Sequence, residues 1–169
     1  NLYVGYWVEE PFVEGTLTER DSLIYKNNDV ELFIAGRDAY YELEVNPANV
    51  VCDLRMVSPW PDKKGDIDWN LAGLETRVQA RGKDGGAPGW TVTAFLPWRG
   101  LRSLPSAGKV TLPPKPGDAW RFNVFRIERP GGKASPEKDG VFAAWSPPSV
   151  QSFHDAGAFR DLVFVGASR

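Results

Sequence analysis

Residues 28–46 read Asn-Asp-Val-Glu-Leu-Phe-Ile-Ala-Gly-Arg-Asp-Ala-Tyr-Tyr-Glu-Leu-Glu-Val-Asn, two alternating runs joined by a Gly-Arg-Asp turn. Successive side chains of a β-strand point to opposite faces, so the alternation predicts strands over 29–35 and 39–46. The apolar face of this pair carries Val30, Leu32, Ile34, Tyr41, Leu43 and Val45. The opposite face carries Glu31, Tyr40, Glu42, Glu44 and Asn46, which we interpret as too polar for a core.

The same period of two recurs along most of the chain. Further strands are predicted at 1–8, 50–57, 73–80, 90–96, 119–128 and 161–165. The segments 58–68, 83–89, 113–117 and 130–140 are rich in Gly, Pro, Lys and Asp and are predicted to be surface loops. Only 97–104 has helical spacing, over one or two turns. About nine short strands without a long helix predict an all-β fold, a single domain over 1–169 built as an antiparallel β-sandwich of the jelly-roll or immunoglobulin-like kind.

The run 50–57 sets Cys52, Leu54 and Met56 against Asp53 and Arg55, and we expect the first three to face the core. Cys52 is the only cysteine, so no intrachain disulfide can form. We expect it to serve as a small buried hydrophobe.

Composition excludes some classes of partner. The 169 residues carry 20 basic and 22 acidic side chains and a net charge of -2, without a basic stripe for phosphates or an anionic bilayer. No apolar run approaches the roughly 20 residues that span a membrane. The chain opens at Asn1 directly in a strand pattern, which indicates an excerpt of a longer polypeptide fused to other domains.

Catalytic motifs are missing. One histidine, His154, and one cysteine exclude the usual zinc ligand sets, and neither a nucleophile elbow nor a phosphate-binding glycine loop occurs. Glu42 and Glu44, about 6.6 Å apart along one strand face, form a weak candidate for a glycosidase pair beside their interpretation as solvated or ligand-binding carboxylates. The aspartates Asp62, Asp66 and Asp68 suit either a charged loop or a structural calcium site.

Several segments in order resemble the family 9 carbohydrate-binding modules and their DOMON-like relatives. The resemblance is carried by residues 1–11 (Asn-Leu-Tyr-Val-Gly-Tyr-Trp-Val-Glu-Glu-Pro), 17–21, 28–34, 40–47, 89–98, 120–128, 144–148 (Ala-Trp-Ser-Pro-Pro) and 153–164. It implies an antiparallel β-sandwich, appended to secreted proteins, that binds sugar without catalysis. Since the family normally begins some forty residues earlier, the resemblance also implies that this chain lacks the opening strands.

The resemblance further implies a site in which two aromatic rings clamp a terminal sugar and polar side chains bond its hydroxyls. The clamp positions match Tyr25 and Phe153, and the hydroxyl-binding positions match Glu31, Glu44 and Asn46. Well-known members carry tryptophan at both clamp positions and arginine at the position of Glu44. His154 adjoins the second clamp position. Asn46 has a second interpretation, as part of the turn formed with Pro47.

Three functions remain open from the sequence. The first is binding of a mono- or oligosaccharide by an extracellular or periplasmic protein, with no cofactor beyond a structural calcium ion. The second, from the same superfamily, is b-type haem binding, for which Met56 and His154 are the available axial ligands. The third is a structural module whose sugar site has decayed.

Overall fold

The structure is a computed structural model that describes residues 1–13, 15–36, 38–82, 86–104, 110–130 and 139–166. Its strands are β1 (Leu2–Glu9), β2 (Asp29–Ala35), β3 (Tyr40–Val45), β4 (Val51–Ser58), β5 (Lys64–Asp66), β6 (Glu75–Arg81), β7 (Gly89–Leu96), β8 (Ala119–Glu128), β9 (Val141–Ala144) and β10 (Arg160–Val163). The described residues form helix only as short 3-10 turns at Ile24–Lys26, Trp98–Gly100 and Ala156–Ala158. The predicted all-β fold is confirmed.

The strands form two antiparallel sheets. The smaller sheet has the order β1-β7-β6. The larger has the order β10-β8-β2-β3-β4-β5, and β9 also pairs with β8, beyond the stretch that β10 occupies. β2 and β3 therefore lie in the middle of the larger sheet, with paired strands on both sides.

The main core fills the space between the two sheets. The predicted inward residues of β2 and β3 all lie there, and they meet the inward side of β7, where Trp90 is fully buried. Trp120 of β8 is buried in the same cluster. Burial of this apolar surface, at about 25 cal/mol per Å², is the main force that joins the sheets.

The orientation of β4 corrects the sequence interpretation. In the register with β3, Asp53 pairs with the inward residue Leu43, whereas Cys52 pairs with Glu44 on the opposite face. The polar side chains can turn inward because they are partnered: Asp53 forms an ion pair with Arg20 and accepts the N–H of Leu71. Cys52, Leu54 and Met56 are mostly buried, as expected, but on the outer face of the larger sheet.

That outer face is itself covered, so the view of it as a solvated polar surface is wrong. Residues 15–28 pack over one part through Leu17 and Ile24, and residues 153–159 pack over another part through Phe153 and Phe159. Every residue of β2 and β3 is consequently buried. The carboxylates of these strands lie under the two covering segments.

One predicted loop contains a strand, and two others extend into residues that the structure does not describe. The segment Ser58–Asp68 contains the short edge strand β5, which pairs with β4. Of the loops predicted at 83–89 and 130–140, residues 83–85 and 131–138 lie outside the described part of the chain. The helical spacing at 97–104 corresponds only to the turn Trp98–Gly100.

Candidate functional site

Three glutamates converge on the outer face of the larger sheet. Glu31 of β2 stands directly opposite Glu44 of β3, and Glu42 lies two residues before Glu44 on the same face. One ligand oxygen from each lies within 4.8 Å of the other two. The three residues are 2%, 4% and 5% exposed, and the fully buried Asp29 precedes Glu31 on the same face. We call Glu31, Glu42 and Glu44 the carboxylate cluster.

Burial dominates the electrostatics of this cluster because a charged carboxylate loses its hydration there. Burial raises the pKa of Glu31 well above its ordinary value, and the neighbouring acidic groups raise it further. Burial likewise raises the pKa of Glu42, and the charge of Glu44 adds to the effect. The pKa of Glu44 rises to about 7 through burial, against the effect of hydrogen bonds from Glu42 and the backbone N–H of Tyr25. Burial therefore favours the protonated form of these carboxyl groups.

Several of these oxygens have no hydrogen-bond partner. Glu42 Oε2, Glu44 Oε2 and Asp29 Oδ2 are closed to solvent and unpaired in the described structure. A buried polar atom without a partner costs roughly 1–3 kcal/mol. The cluster therefore has capacity to bind a group that the protein itself does not supply.

Tyr25 borders the cluster on one side. It belongs to the 3-10 turn Ile24–Lys26, its N–H donates to Glu44, and its carbonyl accepts from Arg129 Nη2 at 2.6 Å. The ring is partly exposed, with Lys26 Nζ 5.9 Å from its centre. The backbone of Tyr25 is thus fixed to the cluster, while its ring faces partly to solvent.

Phe153 and His154 border the other side. Phe153 stacks on Phe125 with ring centres 4.2 Å apart, and Phe125 is the register partner of Glu31 on β8. His154 Nδ1 lies 2.8 Å from the Tyr40 hydroxyl and 3.7 Å from Glu42 Oε2. Burial, with the positive charge of Lys63, lowers the pKa of His154 to about 4. His154 is therefore neutral at pH 7, and its contact with Glu42 is not an ion pair.

Asn46 has a different environment from the other five predicted site residues. Its Oδ1 accepts the N–H groups of Ala48 and Val50, and its Nδ2 donates to the carbonyl of Leu17. Both lone pairs of the amide oxygen are therefore used within the turn, which closes at Asn49 with a positive φ of 60°. The contacts of Asn46 match its second interpretation, as a turn residue.

Sequence reasoning did not identify Trp60 at this site. Trp60 is 45% exposed, and its backbone N–H donates to the backbone carbonyl of His154 at 3.2 Å. Lys63 Nζ lies 5.6 Å from the ring and contributes positive charge to both Glu42 and His154. A tryptophan in a loop of charged and turn residues was the available signal, since such a ring has little apolar surface to pack against.

One comparison with a solved structure supports the fold. No family model matches the chain. The "Extracellular protein" of Arthroderma benhamiae is 27% identical over 151 residues, which cover 84% of this chain and 63% of that relative. The crystal structure of a "putative carbohydrate-binding protein" from Bacteroides uniformis superposes with a TM-score of 0.66 at 16% identity and covers 96% of this chain and 70% of that one. The chain shares this neighbour's fold and spans less than two thirds of the curated relative.

The remaining candidate residues lie as follows. Met56 is buried in the cluster of Phe33, Tyr40, Phe125 and Phe159 on the outer face, the same face that His154 covers. Of the three candidate calcium ligands in the 58–68 loop, Asp66 pairs with Arg55. Where the chain is described, the acidic groups whose ligand atoms converge are those of the carboxylate cluster.

Exposed aromatic residues also occur on the smaller sheet. Tyr3 and Trp7 of β1 are 68% and 76% exposed, and the Trp7 ring lies over Gly5, where a Cβ would come within 2.9 Å of it. On the larger sheet's side, Trp145 is 58% exposed and stacks on Phe122. The described part of the chain contains no helix long and apolar enough to cross a membrane.

Proposed function

We propose that this chain is a non-catalytic carbohydrate-binding domain, related to the family 9 and DOMON-like modules, that binds a mono- or oligosaccharide at the carboxylate cluster. One observation carries the proposal. The carboxylate cluster lies between partly exposed aromatic residues, Tyr25 on one side and Phe153 on the other, and the neighbouring His154 is partly exposed as well.

This combination suits the chemistry of a pyranose. The C–H faces of the sugar ring are apolar and stack on aromatic rings, while its equatorial hydroxyls need donors and acceptors. In the proposed complex, Tyr25 and Phe153 supply the stacking surfaces, and Glu31 and Glu44 accept hydrogen bonds from the sugar hydroxyls. His154 contributes as a neutral imidazole, which offers one donor or one acceptor on its outer nitrogen.

The environment of the glutamates supports binding without hydrolysis. A glycosidase needs one carboxylic acid and one carboxylate on either side of an open bond-cleavage position. Glu42 and Glu44 instead lie side by side on one face of one strand, and each buries one oxygen away from solvent. Neither is placed to protonate a leaving group or to activate water on the opposite sugar face.

The proposed setting is extracellular or periplasmic, within a larger polypeptide. The name of the Arthroderma relative supports an extracellular site, and the 63% coverage of that relative supports a longer parent protein. The shared fold of the Bacteroides neighbour supports the sugar-binding assignment.

Isothermal titration calorimetry against glucose-, xylose- and mannose-based oligosaccharides tests the proposal, with reducing-sugar release measured in parallel. We expect dissociation constants in the micromolar to millimolar range for at least one sugar and no release, since one or two stacked rings and a few hydrogen bonds must offset association costs of several kcal/mol. Tyr25→Ala should weaken binding by about 1–2 kcal/mol, whereas Tyr3→Ala, an exposed tyrosine of the other sheet, should not change it.

Two outcomes would contradict the proposal. A folded chain that binds no sugar in the panel would favour a purely structural module. Sugar release that disappears in a Glu44→Gln variant would show that the chain is an enzyme.

A further inference from the structure

The carboxylate cluster contains a like-charged pair at its centre. Glu31 and Glu44 stand opposite each other on neighbouring antiparallel strands, where like charges are destabilising even at a surface. Both residues are buried, so water cannot screen them. A fold that keeps this arrangement needs positive charge, or protons, within the cluster.

The described side chains supply little of that charge. Among the described ion pairs, none involves Glu31 or Glu44, and the single contact of Glu42 is with His154 at 3.7 Å, whose Nδ1 already contacts the Tyr40 hydroxyl at 2.8 Å. Lys63 attracts Glu42 without forming an ion pair with it in the described structure. Lys63 and the buried Arg129, which attracts Asp29, thus offset part of the negative charge of the four neighbouring carboxyl groups.

We propose that Glu31, Glu42 and Glu44 together hold one divalent cation of the size of calcium. The spacing fits this ion. Calcium binds oxygens at 2.3–2.6 Å, so two oxygens on one calcium ion lie at most about 5.2 Å apart, and calcium enters a cage of protein oxygens more readily than magnesium, which gives up its water reluctantly. The three glutamates present one oxygen each within 4.8 Å of one another.

The unpaired oxygens point independently to a ligand. Glu42 Oε2 and Glu44 Oε2 have no hydrogen-bond partner and no solvent contact, and both residues are more than nine-tenths buried. A sugar hydroxyl that approaches from outside does not reach atoms closed to solvent. A bare ion within the cluster does, and the unpaired Oδ2 of Asp29 adds negative charge nearby.

Calcium takes six to eight oxygen ligands, so three glutamates leave positions for water or further oxygens. The ion would join β2 to β3 and hold Glu44 where it accepts the N–H of Tyr25. In this way it would position the floor and one wall of the sugar site, a link that rests on the proposed function. The cation site itself does not depend on that function.

Calorimetric titration of CaCl2 into the chelator-treated, dialysed 169-residue chain tests the cation site. We expect one calcium ion per chain, weaker binding of MgCl2, and a rise in the melting temperature on calcium addition. Glu44→Gln and, separately, Glu31→Gln should each weaken calcium binding by at least about tenfold because one of three anionic ligands is lost. Glutamine resembles a protonated glutamate in shape, so these variants should fold.

Glu75→Gln is the matched control, since Glu75 is an exposed glutamate on β6 of the other sheet, and it should leave calcium binding unchanged. Absence of calcium binding by the folded wild-type chain would overturn the inference, and so would equal affinity in the wild type and both cluster variants.

Sugar titrations in calcium and in EDTA separate this inference from the proposed function. Calcium binding without sugar binding would leave the cation site standing and refute the sugar assignment. Sugar binding of equal strength in calcium and in EDTA, in a chain that binds no calcium, would support the sugar assignment and refute the cation site.

Discussion

In the absence of divalent cations, the protein should lose stability as the pH rises through neutrality, and Glu44→Gln should remove part of that loss. Burial raises the pKa of Glu44 from 4.5 to about 7. Between these values the folded state keeps a proton that the unfolded state has released, so the free energy of unfolding falls as the pH increases. The contribution of Glu44 is complete below about pH 4.5 and lost above about pH 7.

The size of the effect follows from this displacement. Each tenfold change in proton affinity corresponds to about 1.4 kcal/mol, so the free energy of unfolding should fall by roughly 3 kcal/mol through Glu44 as the pH rises from 4.5 to above 7. The raised pKa values of Glu31 and Asp29 add in the same direction. Glutamine carries no charge at any pH, and the variant should therefore be more stable than the wild type at pH 8 and show a flatter pH dependence.

The assay is urea unfolding in EDTA at pH 5, 6, 7 and 8, followed by tryptophan fluorescence. Glu75→Gln, which removes an exposed carboxylate, should follow the wild-type pH profile. A wild-type stability that rises over this range would refute the reasoning. A Glu44→Gln variant that is destabilised equally at every pH would also refute it, because Glu44 would then be ionised and held by favourable contacts.

Three further outcomes are expected. Asn46→Ala should lower the free energy of unfolding by about 2 kcal/mol in urea, since it leaves three backbone groups without their partner, but should not change the sugar affinity of the folded protein. Phe153→Ala should lower the sugar affinity and should also lower the free energy of unfolding by about 2 kcal/mol, whereas Tyr25→Ala should keep the free energy of unfolding within about 0.5 kcal/mol of the wild type. Thermal unfolding measures the stability of the two variants, and calorimetry measures their sugar affinity. The purified protein should show no Soret band after incubation with haemin, and a band lost in both Met56→Leu and His154→Ala would favour the haem-binding alternative.

Alternation predicted the strands well because it depends only on local geometry. The inward faces of β2 and β3 match the sequence prediction. β4 does not, because both of its faces are buried and the polar residues of its inner face are satisfied by partners distant in sequence, such as Arg20 for Asp53. A period of two separates the two faces of a strand, but it does not show which face is inside when both are covered.

The burial of the carboxylate cluster could not be predicted for a related reason. Placing Glu31 and Glu44 on the polar faces of their two strands required only the alternation. Their removal from solvent depends on two segments, 15–28 and 153–159, that pack over the sheet from distant parts of the chain. No local pattern encodes that contact.

The positions of Tyr25 and Phe153 came from the family resemblance, since no periodic pattern distinguishes a ring at a site from a ring at a packing position. Trp60, by contrast, carried a local signal in its polar loop. Asn46 had two interpretations from the start, because an Asn-Pro sequence is typical of turns, and only its hydrogen bonds distinguish them.

The most direct test of a sugar site on this face is a two-dimensional NMR titration of the ¹⁵N-labelled chain with the oligosaccharide panel. The account predicts shift changes for the amides of Tyr25, Glu44 and His154, with those of Tyr3 and Trp7 on the smaller sheet unchanged. Changes confined to Tyr3 and Trp7, or the absence of any change at saturating sugar, would contradict it.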